Sequence, residues 1–142
     1  MPDIRPAALW LRLAAAIYDL FPLIGLWMLT AALALAITRG TLDAHHPPLA
    51  YRLALLLVTA AYFVISWSRG GQTIGMRAWR LKLTTADGGS LSWPRALLRF
   101  GGAWMSLLAL GIGFLWCLVD RDRRAWHDIV AHSRVVREPA AE

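Results

Sequence analysis

One acidic side chain lies inside a long apolar segment near the start of the chain. Asp19 is the only charged residue in the 26 residues from Leu13 to Thr38. An ionised carboxylate without a partner is costly in hydrocarbon, so it must be protonated, pair with a cation, or take part in handling one. Asp19 is therefore the first candidate for an ion or proton site.

The nearest cation in the sequence is Arg12, seven residues earlier and on the same face of a helix. The two residues are separated by about 10.5 Å along the helix axis, too far for direct contact without bending of the side chains. We predict one intramembrane cluster of Asp19 and Arg12, completed by Arg95 or Arg99 from the segment before a later apolar stretch. Whether Asp19 forms a structural ion pair or a transported-ion or proton site is open at this stage.

The other residues capable of chemistry do not form a recognisable site. His45 and His46 with Asp43 lack a further ligand at a suitable spacing, so a solvated loop is the preferred interpretation. The single Cys117 excludes a disulfide framework and a cysteine-based metal cluster. Neither a Ser-His-Asp arrangement nor a pair of carboxylates can be defended. The sequence therefore predicts no enzyme, bound metal or cofactor.

Three apolar stretches must position these side chains: residues 13–38, 49–68 and 100–119. Each has the length needed to cross a hydrocarbon core of roughly 30 Å. Because 58% of the 142 residues are apolar, we expect an all-α integral membrane bundle that forms one domain over residues 1–142. The first stretch exceeds the apolar region of a signal peptide, typically about 7–15 residues, which predicts a retained transmembrane helix.

The net charge is +6, and fourteen of the fifteen lysine and arginine residues are arginine. Beside such long apolar stretches, it indicates a cytoplasmic membrane surface rather than nucleic acid as the partner. The cations that follow the second apolar stretch form two groups: Arg69, Arg77, Arg80, Lys82, Arg95 and Arg99; and Arg121, Arg123, Arg124, Arg134 and Arg137. The positive-inside rule places the N-terminus and the first group in the cytoplasm.

The second group of cations conflicts with a single crossing by residues 100–119, which would put the tail outside. A bend at Gly111–Gly113 would instead make this stretch a returning hairpin. Against the bend, small residues at Gly102, Ser106, Ala109 and Gly113 would line one face of a continuous helix. We favour the hairpin because eleven positive charges outweigh one stripe.

Two short segments show patterns typical of β-strands outside the membrane. Residues 80–85 alternate between apolar and polar side chains before a turn signal at Asp87-Gly88-Gly89, and residues 133–136 follow near the end of the chain. Each is too short to be stable alone. We therefore predict that they pair as a small cytoplasmic sheet.

Three segments resemble the RDD family of bacterial membrane proteins: Arg12–Asp19, Gly71–Arg77, and Trp126–Ala131 followed by Val135-Val136. They occur in the order found in that family and cover nearly the whole chain. The resemblance assigns the family's arginine to Arg12 and its two aspartates to Asp19 and Asp128, with Asp120 as the less favoured choice for the second. Met76 stands where the family usually has lysine, and Ser133 where it usually has threonine.

The resemblance implies a multi-pass protein of the bacterial inner membrane with a role in transport of ions or small solutes. The alternative is a membrane scaffold or regulatory module that binds a partner protein and transports nothing. Three or four spans are few for a transport path, so a homo-oligomer is expected if transport occurs. The discriminating feature is whether Asp19 faces a polar cavity open to water or is closed off by an arginine.

Overall fold

A computed structural model describes residues 5–138 of the chain. Its two longest helices are α1, Leu9–Ile37, and α2, Leu49–Arg69. Both are long and apolar enough to cross a membrane. Their 29 and 21 residues correspond to about 43 and 32 Å of helix, against a hydrocarbon core of roughly 30 Å. The first two predicted spans are thus confirmed as helices, although α1 begins four residues earlier than predicted.

A compact layer follows α2, made of the short helix α3, Ile74–Ala78, and an antiparallel sheet. The sheet contains β1, Arg5–Pro6; β2, Leu81–Thr85; and β3, Ser133–Arg137, in the order β1-β3-β2. The predicted pairing of the second and third strands is confirmed. The sequence did not reveal β1, because two residues that include a proline carry no alternating pattern.

The sheet fixes which end of the molecule each segment occupies. Its three strands precede α1, follow α2 and close the described chain, so all three of these segments lie at the same end of the α1–α2 pair. The backbone N–H of Ala7 donates to the carbonyl of Val135 at 2.9 Å, which attaches the start of α1 directly to the sheet.

The third apolar stretch is not one straight helix. It begins within α4, Trp93–Leu108, and continues through α5, Ile112–Leu115, and a 3-10 turn over Trp116–Leu118, with a bend of 111° between α4 and the part that follows. Leu110 and Gly111 both have positive φ values, 57° and 80°, which end α4. The break expected at Gly111 is therefore present.

The small residues of this stretch allow close packing where the chain folds back after α4, and they do not line one face of a continuous helix. A methyl group at Gly113 would overlap Ser106 Oγ and lie 2.7 Å from Ser106 Cβ, so α5 packs directly on α4. A methyl group at Gly102 would lie 3.1 Å from Cα of His127, which belongs to the last short helix, α6, Trp126–Val130. The continuous stripe that the sequence offered as an alternative is thus absent, because the chain turns between its members.

The buried core lies at the sheet end of the molecule. Leu81 and Leu83 of β2 are almost fully buried and pack with Leu11 and Ala15 of α1 and with Trp67 of α2. By contrast, much of the apolar surface of α1 and α2 remains exposed, as expected of helices whose solvent is lipid. The core therefore joins the membrane helices to the layer of sheet and short helices.

Candidate functional site

Asp19 lies about 15 Å along α1 from its first residue and faces the beginning of α3. Its Oδ1 accepts hydrogen bonds from the Tyr62 hydroxyl at 2.6 Å and the Gly75 N–H at 2.8 Å, and its Oδ2 accepts one from Thr73 Oγ1 at 2.6 Å. Only 3% of Asp19 is exposed. We call these four residues the Asp19 site.

The Asp19 site holds a helix terminus by two linked hydrogen bonds. Thr73 precedes α3, and its hydroxyl accepts the N–H of Met76 at 3.1 Å while donating to Asp19. Threonine is a favoured residue at this position because its oxygen satisfies an otherwise unpaired N–H. The carboxylate satisfies a second one, that of Gly75. Asp19 thus anchors the first turn of α3 to the side of α1.

The close approach of α3 to α1 requires a glycine at position 75. A methyl group there would overlap the carbonyl oxygen of Ala15 and lie 2.9 Å from Cγ of Asp19. A real side chain could fit only if α3 moved away, which would also lengthen the hydrogen bonds to Asp19. Gly75 therefore sets the distance on which the Asp19 site depends.

The prediction that Asp19 and Arg12 share one cluster is wrong. The bonded partners of Asp19 are two hydroxyls and a backbone N–H, all of them neutral, and they supply the hydrogen bonds that stabilise a buried carboxylate. Arg12 instead reaches a different carboxylate, Asp128. The Thr-x-Gly pattern at Thr73–Gly75 was a signal for this arrangement, since it offers a helix cap followed by a close-approach glycine.

Asp128 is fully buried between two arginines. Its Oδ2 lies 2.6 Å from Arg12 Nη1, and its Oδ1 lies 2.9 Å from Arg99 Nη2. The N–H of Ala125 donates to Oδ2 at 3.1 Å, so the same carboxylate also bonds the N-terminal end of α6. The Arg99 guanidinium lies 4.2 Å from the centre of the Trp67 ring, which adds a cation–π contact. We call Arg12, Arg99 and Asp128 the Asp128 site.

The Asp128 site joins four helices. Arg12 comes from the first turn of α1, Arg99 from α4 and Asp128 from α6, while Trp67 of α2 covers the Arg99 guanidinium. The sequence predicted that Arg95 or Arg99 would reach inward to a carboxylate; Arg99 does so, but to Asp128 rather than Asp19. The four predicted residues are all buried or nearly so and fall into two separate sites.

Nearby positive charges and burial change the pKa of Asp128 in opposite directions. Burial alone raises the pKa of this carboxyl, but the charge of Arg99 first, then that of His127 in strong acid, that of Arg12 and the hydrogen bond from the Ala125 N–H together lower the pKa more, to about 2. Burial, followed by the charge of Arg99, lowers the pKa of the His127 imidazole to about 3. The site therefore contains an ionised aspartate beside a neutral histidine at neutral pH.

We expect stability to fall in acid because His127 must stay neutral in the folded protein. Protonation of the unfolded state begins near pH 6.5, so the free energy of unfolding should drop by up to about 1.4 kcal/mol per pH unit between pH 6.5 and 3. Asp128 adds a further loss as the pH falls from about 3.8 to 2. The measurement is thermal unfolding in detergent at a series of pH values, for His127→Gln and for the exposed-loop control His45→Gln.

His127→Gln should flatten the pH dependence between pH 6.5 and 4, whereas His45→Gln should follow the parent protein. Equal slopes for all three proteins would show that His127 is not the titrating group.

Each of the two sites uses a buried carboxylate to attach the start of a short helix to its neighbours. Both carboxylates accept several short hydrogen bonds from protein donors. Within residues 5–138, no group of three or more His, Cys, Asp or Glu side chains is placed to hold a metal ion. In the exposed first loop, Asp43 accepts a hydrogen bond from the backbone N–H of His45 and lies 3.4 Å from the imidazole of His46.

Comparison with known proteins identifies one relationship. The model of the RDD family matches residues 6–132, which include both the Asp19 site and the Asp128 site. No curated protein and no solved structure matches the chain. The resemblance seen in the three sequence segments is thus confirmed by a match over most of the chain.

Proposed function

We propose, since this chain belongs to the RDD family, that it is a module of the bacterial inner membrane that assembles with a partner protein and does not transport a solute by itself. The observation that carries this proposal is the closed state of Asp19. Its two oxygens accept three hydrogen bonds from the protein, and 3% of the residue is exposed. A cation bound there would have to displace Thr73 and Gly75, and so detach α3 from α1.

The number of crossing helices supports the same proposal. Because the segments before α1, after α2 and at the end of the described chain share one sheet, the third apolar stretch starts and ends on one side, which favours a returning hairpin. Two crossing helices, α1 and α2, do not enclose a path across a bilayer. The exposed apolar sides of these helices are then available for a partner.

The positive charges favour one orientation for this arrangement. With the third stretch returning, the loop after α2 and the tail lie on the same side as the N-terminus, and both carry many arginines. The positive-inside rule places that side in the cytoplasm. The sheet and both buried sites would then lie at the cytoplasmic end of the bundle. No enzymatic step is part of this proposal.

Transport of ions or small solutes is the second candidate function. It is favoured by Asp19 itself, an ionisable group in an apolar helix, which commonly marks an ion or proton pathway. In this case two or more copies of the chain would have to line the path, and α3 would have to leave Asp19 during each cycle. The two candidates therefore differ in what Asp19→Asn does.

Reconstitution into vesicles separates the two functions. Parent protein, Asp19→Asn and the exposed-turn control Asp87→Asn would be assayed for flux of a panel of cations and protons, with cross-linking in the same vesicles to record assemblies. Our proposal predicts flux no greater than in protein-free vesicles, together with a complex of fixed stoichiometry when membrane extract is added before cross-linking. Transport would be established instead by three results together. The parent protein and Asp87→Asn would show saturable flux, and a folded Asp19→Asn would show none.

A further inference from the structure

An apolar groove lies beside the beginning of α1, next to the Asp128 site, and neither buried carboxylate belongs to its lining. Its volume is about 410 Å³, within the roughly 300–1,000 Å³ typical of small-molecule sites. The residues that line it are mainly apolar and come from the beginning of α1, from the turn after α5 and from the loop before α6; they include Leu9, Trp10, Leu13, Cys117, Leu118 and Arg123. The groove thus has one cationic residue in an otherwise apolar lining.

The groove lies at the edge of the membrane span. Arg12, in the first turn of α1, donates from Nη2 to the backbone carbonyl of Arg123 at 2.7 Å, which places Arg123 beside the start of that helix. Trp10 is 60% exposed at the same level, and Leu13 follows one turn deeper with 51% exposed. Tryptophan is enriched where a helix meets the head groups, so the groove extends from head-group level toward the hydrocarbon.

The charge of Arg123 is available at this position. Arg123 is exposed, and among the described residues no carboxylate forms an ion pair with it. Its neighbours differ, because Arg12 pairs with Asp128 and Arg124 pairs with Asp120 at 3.1 Å. A guanidinium fits the oxygens of a phosphate by paired hydrogen bonds, so an anion is the complement of this end of the groove.

We propose that the groove binds an anionic phospholipid, with its phosphate on Arg123 and one acyl chain against Leu13 and Leu118. An acyl chain suits the apolar lining, and the phosphate suits the cation at head-group level. A free phosphate ion would use Arg123 alone and leave the apolar walls without a partner. The site is independent of whether the protein assembles or transports, because it uses neither Asp19 nor Asp128.

Trp10→Cys in a Cys117→Ser background provides a local reporter, because position 10 lines the groove and is 60% exposed, whereas Cys117, the only cysteine of the chain, is buried. The rate of its labelling by an uncharged maleimide would be measured in vesicles of phosphatidylcholine, with and without phosphatidylglycerol. One arginine–lipid contact corresponds to about fivefold in occupancy, so phosphatidylglycerol should slow labelling by about that factor. Arg123→Gln should remove the difference between the two vesicles. Arg121→Gln, the same charge change in the same loop but outside the groove, should retain it.

Three results would overturn the proposal. The first is equal labelling rates in the two vesicle types for the parent protein. The second is loss of the difference in Arg121→Gln as well as Arg123→Gln, which would reflect overall charge rather than a site. The third is slower labelling that has another cause than the phospholipid. If inorganic phosphate slows labelling equally in phosphatidylcholine vesicles, the groove binds a free ion. If the labelling rate follows the protein-to-lipid ratio, a second copy of the chain covers the groove.

Discussion

Replacement of Asp128 by asparagine is expected to lower the free energy of unfolding by about 3–5 kcal/mol, the usual loss when one partner of a buried ion pair is removed. The reason is that Arg12 and Arg99 would both lose the charge that compensates them, and Arg99 is almost fully buried. The amide group would also direct a donor at one of two side chains that only donate. Chemical unfolding in detergent, followed through the eight tryptophans, measures this loss.

Asp122→Asn is the matched control for this change. Asp122 also pairs with an arginine, Arg124, at 3.2 Å, but its side chain is 69% exposed. Exposed pairs contribute about 0–1 kcal/mol, so the control should differ little from the parent protein. A small loss for Asp128→Asn, similar to that of Asp122→Asn, would mean that the two arginines are not buried as the structure has them.

The second large effect is expected from a single methyl group at position 75. Gly75→Ala should destabilise the protein by about 3 kcal/mol or more, at the upper end for overpacking, because the obstacle is the backbone carbonyl of Ala15 and not a movable side chain. Limited proteolysis should also show faster cleavage near α3, since the hydrogen bonds of Thr73 and Gly75 to Asp19 must lengthen.

Gly101→Ala provides the comparison, because Gly101 lies within α4 and a methyl group there meets nothing within 4 Å. Alanine is favoured over glycine in a helix interior by roughly 0.5–1 kcal/mol, so this variant should be as stable as the parent protein or slightly more stable. If Gly75→Ala were equally well tolerated, α3 could not pack against α1 as closely as described.

The parts of the fold that could be predicted from the sequence are those with a local pattern. Apolar runs give α1 and α2 because a segment in lipid must satisfy its own backbone groups. Alternation gives β2, and Gly111 marks the break after α4. The first strand could not be predicted, because Arg5 and Pro6 form β1 only through pairing with Arg137 and Val136.

The candidate site was harder to predict because its contacts are distant in sequence. Asp19 and Thr73 are 54 residues apart, and Arg12 and Asp128 are 116 apart. The energetic argument predicted protonation or a cationic partner for Asp19, and it did not foresee that two hydroxyls and a backbone N–H would supply the hydrogen bonds. Tyr62 was a usable signal, since a hydroxyl in the apolar second span also needs a partner.

Asp19 holds α3 against α1 through its hydrogen bond with Thr73. A double-mutant cycle with Asp19→Ala and Thr73→Val tests this most directly, because Thr73 also bonds Met76 and only the cycle separates the two contributions. We expect the sum of the losses in unfolding free energy of the two single variants to exceed the loss of the double variant by about 1.5–3 kcal/mol, as for a strong buried hydrogen bond. Losses that add to within about 0.5 kcal/mol would contradict the claim.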